Sequence, residues 1–464
     1  MSVPAWVQDA VFYQIFPDRF ANGDKSNDPY NVKDWDELPT VKGFQGGDLR
    51  GVIEHFDYLL DLGINAIYFN PIFQAASTHR YDTYDYFKID PKLGTLADFH
   101  ELVAIAHQNN VRIVLDGVFN HCGRGFFAFN DILENGSDSP YLNWFHVKNF
   151  PLDAYTKGDA VNYLGWWKHK SLPKLNITEP AVRQYLLDVA RYWIEQGADG
   201  WRLDVPNEID DDDFWHDFRK VVTEANPEAY ILGEIWDGNP RWVGERHFDG
   251  LMHYPIRDAV FDIIDQKISA TDFADRVESW LKKYPRENVY AMLVLLGSHD
   301  TKRLYRKMEG DWSKIKLASL FPFVYPGAPC VYYGDEIGMD GGSDPDCRRT
   351  FPWDEEKWNH DMRQYIKQLI RIRHERVSLR RGDVERIAVN EHGYAFSRNH
   401  DGEFTLVVMN FGDTETTLLL PCDLITFEKV EKLRDLITEE VITSDGDFAV
   451  SLLPWSGKLF AIEK

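Results

Sequence analysis

Short runs of β-branched and aromatic residues recur along most of the chain, too brief for helices and too evenly apolar for strands with one wet face. They read as strands near Ala10–Phe16, Ile64–Asn70, Val111–Val118, Gly200–Val205, Ala229–Ile235, Gly250–His253, Val289–Leu296 and Cys330–Tyr333. A strand that is apolar on successive residues is buried on both faces, as in a parallel sheet covered by helices. The stretches between them carry helical spacing. Val182, Tyr185, Leu186, Val189, Tyr192 and Trp193 fall on one helical face, Thr178 and Pro180 mark its start, and Gly197 its end. Eight strands with intervening helices predict a (β/α)8 barrel of the TIM type.

Two segments break the alternation. The span 122–177 is too long for a βα loop and carries its own aromatics, Tyr163, Trp166 and Trp167, so it predicts a small inserted domain after the third strand. From Gly382 onward the pattern changes to short alternating strands, such as Phe404–Val408 and Thr416–Leu420, which predict an antiparallel β-sandwich over 382–464. The barrel then occupies 1–121 and 178–381. The run Asp210–Asp213 reads as an acidic helix start.

Charge narrows the partners. A net charge of −24 repels phosphate backbones and anionic membrane surfaces, so neither nucleic acid nor membrane is expected. A neutral substrate needs no charge steering. The 15 Trp and 22 Tyr suit sugar rings, which present an apolar face and a polar rim, as well as they suit a large core. Cys122, Cys330, Cys347 and Cys422 are scattered with no CxxC pair. Met1–Gln14 has no signal-peptide pattern, and no run of 18 apolar residues occurs, so free thiols in a cytoplasmic protein are expected.

Charged residues close four of the apolar strands: Asp116-Gly-Val-Phe-Asn-His121, Gly200-Trp-Arg-Leu-Asp-Val205, Gly233-Glu-Ile-Trp236 and Leu296-Gly-Ser-His-Asp300. In a TIM barrel the C-terminal strand ends are where catalytic groups gather. A structural ion pair explains one such segment and explains four badly, since buried charge is costly unless paired or used. Glycoside hydrolysis needs two carboxyl groups in opposed protonation states. Arg202 and Asp204 are two apart and face one side of a strand, so the guanidinium is expected to hold Asp204 ionised as a nucleophile. Apolar neighbours are expected to raise Glu234 and suit it to donate a proton. Asp300 is expected to favour positive charge on the sugar ring, with His299 and His121 donating to hydroxyls.

The four segments, in this order and spacing, resemble the α-amylase superfamily of glycoside hydrolases, and the resemblance covers nearly the whole chain. It implies the barrel, the inserted domain, the C-terminal sandwich and a retaining mechanism. Finer motifs resemble the cyclomaltodextrinase, neopullulanase and maltogenic amylase subgroup. Pro173-Lys-Leu-Asn176 is similar to a diagnostic motif of its inserted domain, with Leu172 where Met is usual. Ser77-Thr-His-Arg-Tyr-Asp82 resembles its substrate loop, which implies that Tyr81 stacks on the sugar next to the cut with His79 nearby. Asp344-Pro-Asp-Cys-Arg348 implies that Asp344 and Arg348 hold the non-reducing end. Asn207, Glu208 and Trp236 are implied on the leaving-group side.

The chain also departs from the subgroup. Pro206 replaces a usual Ala, and Asp237 a usual His. The chain starts close to its first strand, where subgroup members carry an N-terminal β-domain of about a hundred residues. That domain helps form a dimer and narrows the cleft; without it, an open groove that admits polymers is expected and the oligomeric state stays open. Asn22, Asp24, Asn27, Asp28, Gly46 and Asp48 read either as Asx turns or as hard oxygen ligands; the resemblance implies a structural Ca2+. Transglycosylation uses the same covalent intermediate and is the alternative activity. A catalytically dead binding paralogue is the remaining reading, against which stand the retained Asp204, Glu234 and Asp300.

Overall fold

The computed structural model describes residues 3–421 and 430–463; Cys422 lies outside them. Eight parallel strands form one sheet: β1 Phe12–Ile15, β2 Ala66–Phe69, β3 Arg112–Gly117, β4 Gly200–Leu203, β5 Tyr230–Gly233, β6 Gly250–Leu251, β7 Leu293–Leu295 and β8 Ala328–Tyr332. The order is β6-β5-β4-β3-β2-β1-β8-β7, and a parallel bridge from Met252 to Leu293 closes the barrel. Seven strands fall inside the runs that predicted them. β8 starts two residues early, because Pro329 disguises a strand start.

The strands alternate between two cores. Phe12, Tyr68, Val114, Leu232 and Leu293 fill the barrel, while Tyr13, Ile67, Phe69, Ile113, Leu115 and Trp201 face the helices outside. Period-two alternation therefore survives, with apolar residues on both faces. The outer layer includes Leu96–Gln108, Pro180–Glu195, Asp212–Ala225, Tyr254–Ile264, Ala270–Leu281, Trp312–Val324 and His360–Glu375. Asp211 caps the third of these by accepting from Phe214 N at 2.8 Å, as an acidic helix start requires.

One expected helix is missing. Between β5 and β6 the described chain forms only a short 3-10 turn, Pro240–Trp242. Gly238 and Gly244 sit there at φ 63° and 126°, which breaks helical continuity. The span after β3 contains the helix Phe127–Asn135 and isolated bridges, including Val147–Tyr163 and Gly165–Pro173. A further bridge, His121–Lys174, ties it to the end of β3.

Beyond the barrel, the antiparallel strands Asp383–Val389, Gly393–His400, Glu403–Asn410, Ser456–Glu463, Lys432–Asp435 and Val441–Thr443 form a six-stranded sheet. Thr416–Leu420 and Phe448–Leu452 form a second. Leu406, Val408, Leu418, Val450 and Phe460 fill the space between the sheets. Tyr394, Phe396, Val407, Met409 and Leu459 point the other way, into the barrel's outer core. A Cβ at Gly457 would stand 2.5 Å from Leu320 Cδ2, so sheet and helix approach too closely there for a side chain.

Candidate active site

The C-terminal ends of the strands converge on one guanidinium. Arg202 alternates with Trp201 and Leu203 on β4, so it points into the barrel, where it is wholly buried. Its Nη1 donates to Asp116 Oδ1 at 2.8 Å and lies 3.3 Å from Asp204 Oδ1. Its Nη2 stands 2.8 Å from Glu234 Oε1. Asp116, one strand away on β3, also accepts from the hydroxyls of Tyr68 and Tyr81, each at 2.8 Å.

This geometry corrects one expectation. Arg202 does not serve Asp204 alone: it is shared among three carboxyls, and its contact to Asp204 is the longest. Burial and the neighbouring Glu234 push Asp204 well above the usual carboxylate range, and Arg202 offsets only part of that. Burial also raises Glu234, against the opposing pull of Arg202, which is the direction its apolar neighbours predicted. Glu234 Oε2 accepts from Val205 N at 3.1 Å. That contact needs Val205 at φ 36°, ψ 49°, a left-handed conformation that costs a β-branched residue about 1–3 kcal/mol.

Asp300 behaves oppositely. Burial alone would raise it, but His299, Arg348 and Arg202 together outweigh that and hold it below the usual range. His299 Nε2 is 3.0 Å from Asp300 Oδ2. Gln14 Nε2 lies 2.9 Å from His299 Nδ1 and donates to it, so Nε2 carries the ring hydrogen and faces Asp300 and the Tyr81 hydroxyl, 2.7 Å away. Arg348 donates from Nε to His299 O at 2.8 Å and from Nη2 to Asp300 Oδ1 at 3.1 Å. Its Nη1 pairs with Asp344 at 2.9 Å.

Aromatic rings line this network. Tyr81 stacks between His299, at 5.5 Å, and His79, at 5.8 Å. Burial lowers His79, and His79 Nδ1 accepts from Tyr81 N at 3.0 Å. His121 is pushed down to about 3 by burial, so it is neutral, and its buried Nε2 has no partner. Trp236, two residues past Glu234, lies flat on Tyr254 at 3.8 Å and 5° with its outer face exposed. Asn207 and Glu208 are exposed on the turn after Asp204. Lys174 reaches that turn, donating to Glu208 O at 2.7 Å and to Asn120 Oδ1 at 2.8 Å. The residues that sequence reasoning passed over are Asp116, Tyr68, Gln14, Tyr254 and Asn70, whose Nδ2 donates to the Tyr81 hydroxyl at 3.0 Å. Asp116 alone carried a signal, as the acidic residue opening the motif at the end of β3.

Two loops beside β1 bring the candidate cation ligands together. Asn22 Nδ2 donates to Asp28 Oδ1 and Asn27 Nδ2 to Asp48 Oδ2, each at 2.9 Å, which leaves the buried amide oxygens Asn22 Oδ1 and Asn27 Oδ1 without a partner. Gly46 closes the cradle at φ 84°; a Cβ there would stand 2.3 Å from Asp28 Oδ1. Asp48 is otherwise occupied, accepting from Gly23 N, Asp24 N and Gly51 N. The Asp24 carboxylate turns to Ser26 instead. Two orphaned buried amide oxygens in loops that also carry Asp28 and Asp48 fit a hard cation. Among the described residues no three His, Cys, Asp or Glu side chains form a metal cluster.

Comparison with known proteins agrees with this geometry. The sequence profile of the α-amylase catalytic domain matches residues 14–380. A cyclomaltodextrinase of Geobacillus thermopakistaniensis is 44% identical over 99% of this chain and 78% of its own length. Neopullulanase 2 of Thermoactinomyces vulgaris is 42% identical with the same two coverages. The structure of a cyclic α-maltosyl-(1→6)-maltose hydrolase from Arthrobacter globiformis superposes with a TM-score of 0.91 at 40% identity, covering 99% of this chain and 100% of the other. Since the profile spans every barrel strand from the middle of β1 onward and all four carboxyl-bearing strand ends, the chain belongs to the α-amylase family of glycoside hydrolases.

Proposed function

We propose that the chain hydrolyses α-glucosidic bonds of cyclodextrins and short maltooligosaccharides, α-1,4 and also α-1,6, with retention of configuration. The observation that carries this is geometric: the buried carboxyls Asp204 and Glu234 meet at neighbouring strand ends, 3.3 and 2.8 Å from one guanidinium, with Asp300 open to the cleft and held by Arg348 at 3.1 Å. Two like charges side by side favour one proton on the pair. A retaining hydrolase needs one proton there, on Glu234. Asp204 attacks the anomeric carbon as Glu234 protonates the leaving oxygen. Water then displaces Asp204 from the sugar and gives a proton back to Glu234. Asp300, ionised throughout, binds hydroxyls and favours the positive charge on the ring. Asp116 neutralises the part of Arg202 that the reacting pair does not.

In this reading Tyr81 supports the ring at the cut and His79 lies beside it. His121 offers its unpartnered Nε2 hydrogen to a hydroxyl. Arg348 and Asp344 hold the non-reducing end, and Trp236, Asn207 and Glu208 meet the leaving sugars. The exposed Trp236 face is also where an acceptor sugar would sit, which favours transglycosylation as a second activity. The deciding experiment is a product profile on β-cyclodextrin, maltotriose, pullulan and starch, with NMR of the first products. The reading expects α-anomers and turnover of the small substrates; β-anomers, or cleavage of starch alone, would overturn it.

The cation belongs to the same proposal. Asn22, Asn27, Asp28 and the loop at Gly46 would hold Ca2+, with Asp48 ordering the loop through its hydrogen bonds. Bound there, it would brace β1 and supply no chemistry to the sugar. Among the described residues no helix is long and apolar enough to cross a membrane. A relative in Bacillus subtilis is named an intracellular maltogenic amylase. An intracellular place for this chain is accordingly proposed, to be checked by cell fractionation.

A further inference from the structure

Trp167 is 73% exposed, and among the described residues its only ring partner is Trp166, 4.6 Å away and coplanar within 11°. Trp166 stacks in turn on His121, at 5.2 Å and 20°. His121 follows closely on β3, whose Asp116 accepts from Arg202 and from the Tyr81 hydroxyl. A column of three parallel rings thus climbs from the floor of the candidate site to solvent.

Its outermost member is held in place at a cost. Trp167 lies at φ 45°, ψ 32°, and Lys168 follows at φ 64°. Two successive side-chain-bearing residues in the left-handed region are costly, the more so for a bulky ring. Burial does not offset that cost, because the outer face of Trp167 is open. The turn is pinned by Trp166 N donating to Leu172 O at 2.8 Å and Lys168 N to Gly165 O at 2.9 Å. Trp236 on Tyr254 has the same construction: an exposed indole with a flat ring behind it. A rigid, backed indole with one free face suits the apolar face of a sugar ring and keeps an N–H for its hydroxyls.

We propose that Trp167 is a platform for a glucose unit remote from the cleaved bond, so that the cleft reads chain length. This rests on the α-glucan reading above. A substrate that extends past His121 gains the Trp167 contact, and one confined to the rings at the cut does not. The ligand class is an α-linked glucan longer than a trisaccharide.

The test uses the full chain carrying Glu234→Gln, which binds without turnover, titrated calorimetrically with maltoheptaose and with maltotriose. Adding Trp167→Ala is expected to weaken maltoheptaose about tenfold, which corresponds to about 1.4 kcal/mol, and maltotriose less than twofold. Trp167→Tyr, which keeps a stacking face, is expected to recover most of the loss. Equal losses for both sugars, or none for either, would overturn the platform. If Glu234→Gln still turns over, or neither sugar binds with Trp167 intact, the α-glucan reading itself fails and the platform falls with it.

Discussion

Arg202 at the mouth of the barrel and Arg398 at the junction with the sandwich are both wholly buried, yet they are satisfied in opposite ways. Arg202 meets Asp116, Glu234 and Asp204. Arg398 donates to the carbonyls of Val324 and Gly382, and its neighbour Arg373 to those of Phe323, Leu379 and Gly327. Burial pushes both junction guanidiniums downward, with carbonyls and no carboxylate bonded to them, whereas the carboxylates around Arg202 raise it. The junction uses its cations to fasten chain to chain. At the barrel mouth Arg202 meets three carboxyls at once, and that surplus of carboxyl groups keeps a proton available.

The largest effect expected from this contrast lies in the surplus carboxyls. Asp204→Asn and Glu234→Gln are each expected to lower kcat by on the order of 10⁴-fold or more, measured on maltotriose. The fold is expected to gain from the first change. Asp204 is raised in the folded state, so its contribution to stability is full below the unfolded value of about 3.9 and is lost as pH rises through the folded value. The variant should therefore melt above the parent at pH 7, with the gap closing towards acid pH. Near-normal turnover, or a variant that melts lower at pH 7, would break the comparison.

Exchanging each arginine for an apolar residue of similar length separates the two roles. Arg202→Met is expected to lower kcat by about 10²–10³-fold and to destabilise by about 3–5 kcal/mol, since it leaves carboxylates buried and unpaired. Arg398→Met orphans carbonyls, at about 1–3 kcal/mol each, and is expected to leave kcat and KM unchanged at a temperature where it is folded. A loss of kcat in Arg398→Met would dissolve the distinction.

A smaller effect sharpens it through pH. With Asp204 and Glu234 both raised, the acid limb of kcat/KM is expected above the ordinary carboxyl range of about 4. Asp300 raises both by its charge, so in the residual activity of Asp300→Asn that limb should move to lower pH. A limb that stays fixed would place the titration elsewhere. The smallest effect belongs to the cation loop. A chelator is expected to lower Tm by several degrees, since a ligand at about 100 times its Kd adds roughly 2.7 kcal/mol. Asn27→Ala should remove the chelator's effect, and a parent Tm indifferent to chelation and to added Ca2+ would reject the site.

Much of this was legible in the chain. Strand runs such as Ile64–Asn70 announce themselves because a strand buried on both faces must be apolar on successive residues. Asp204, Glu234 and Asp300 stand out because a charge closing such a run has to be paired or used. The strand at Ala328 and the missing helix after β5 were less legible, since local glycines and prolines outweighed the alternating pattern.

By itself, then, the sequence determined the barrel, the sandwich and the identity of the carboxyls, all of which follow from periodicity and from local cost. Only the tertiary structure decided how charge is shared among them. Spacing two apart paired Arg202 with Asp204, but folding set Arg202 against Asp116, 86 residues away in the chain, and left Asp204 the weaker claim. The column His121–Trp166–Trp167 and the bonds from Gln14 to His299 likewise join residues distant in sequence. The physical reason is that a carboxyl's protonation depends on every charge within a few ångströms and on its loss of water, and both are fixed by packing across strands.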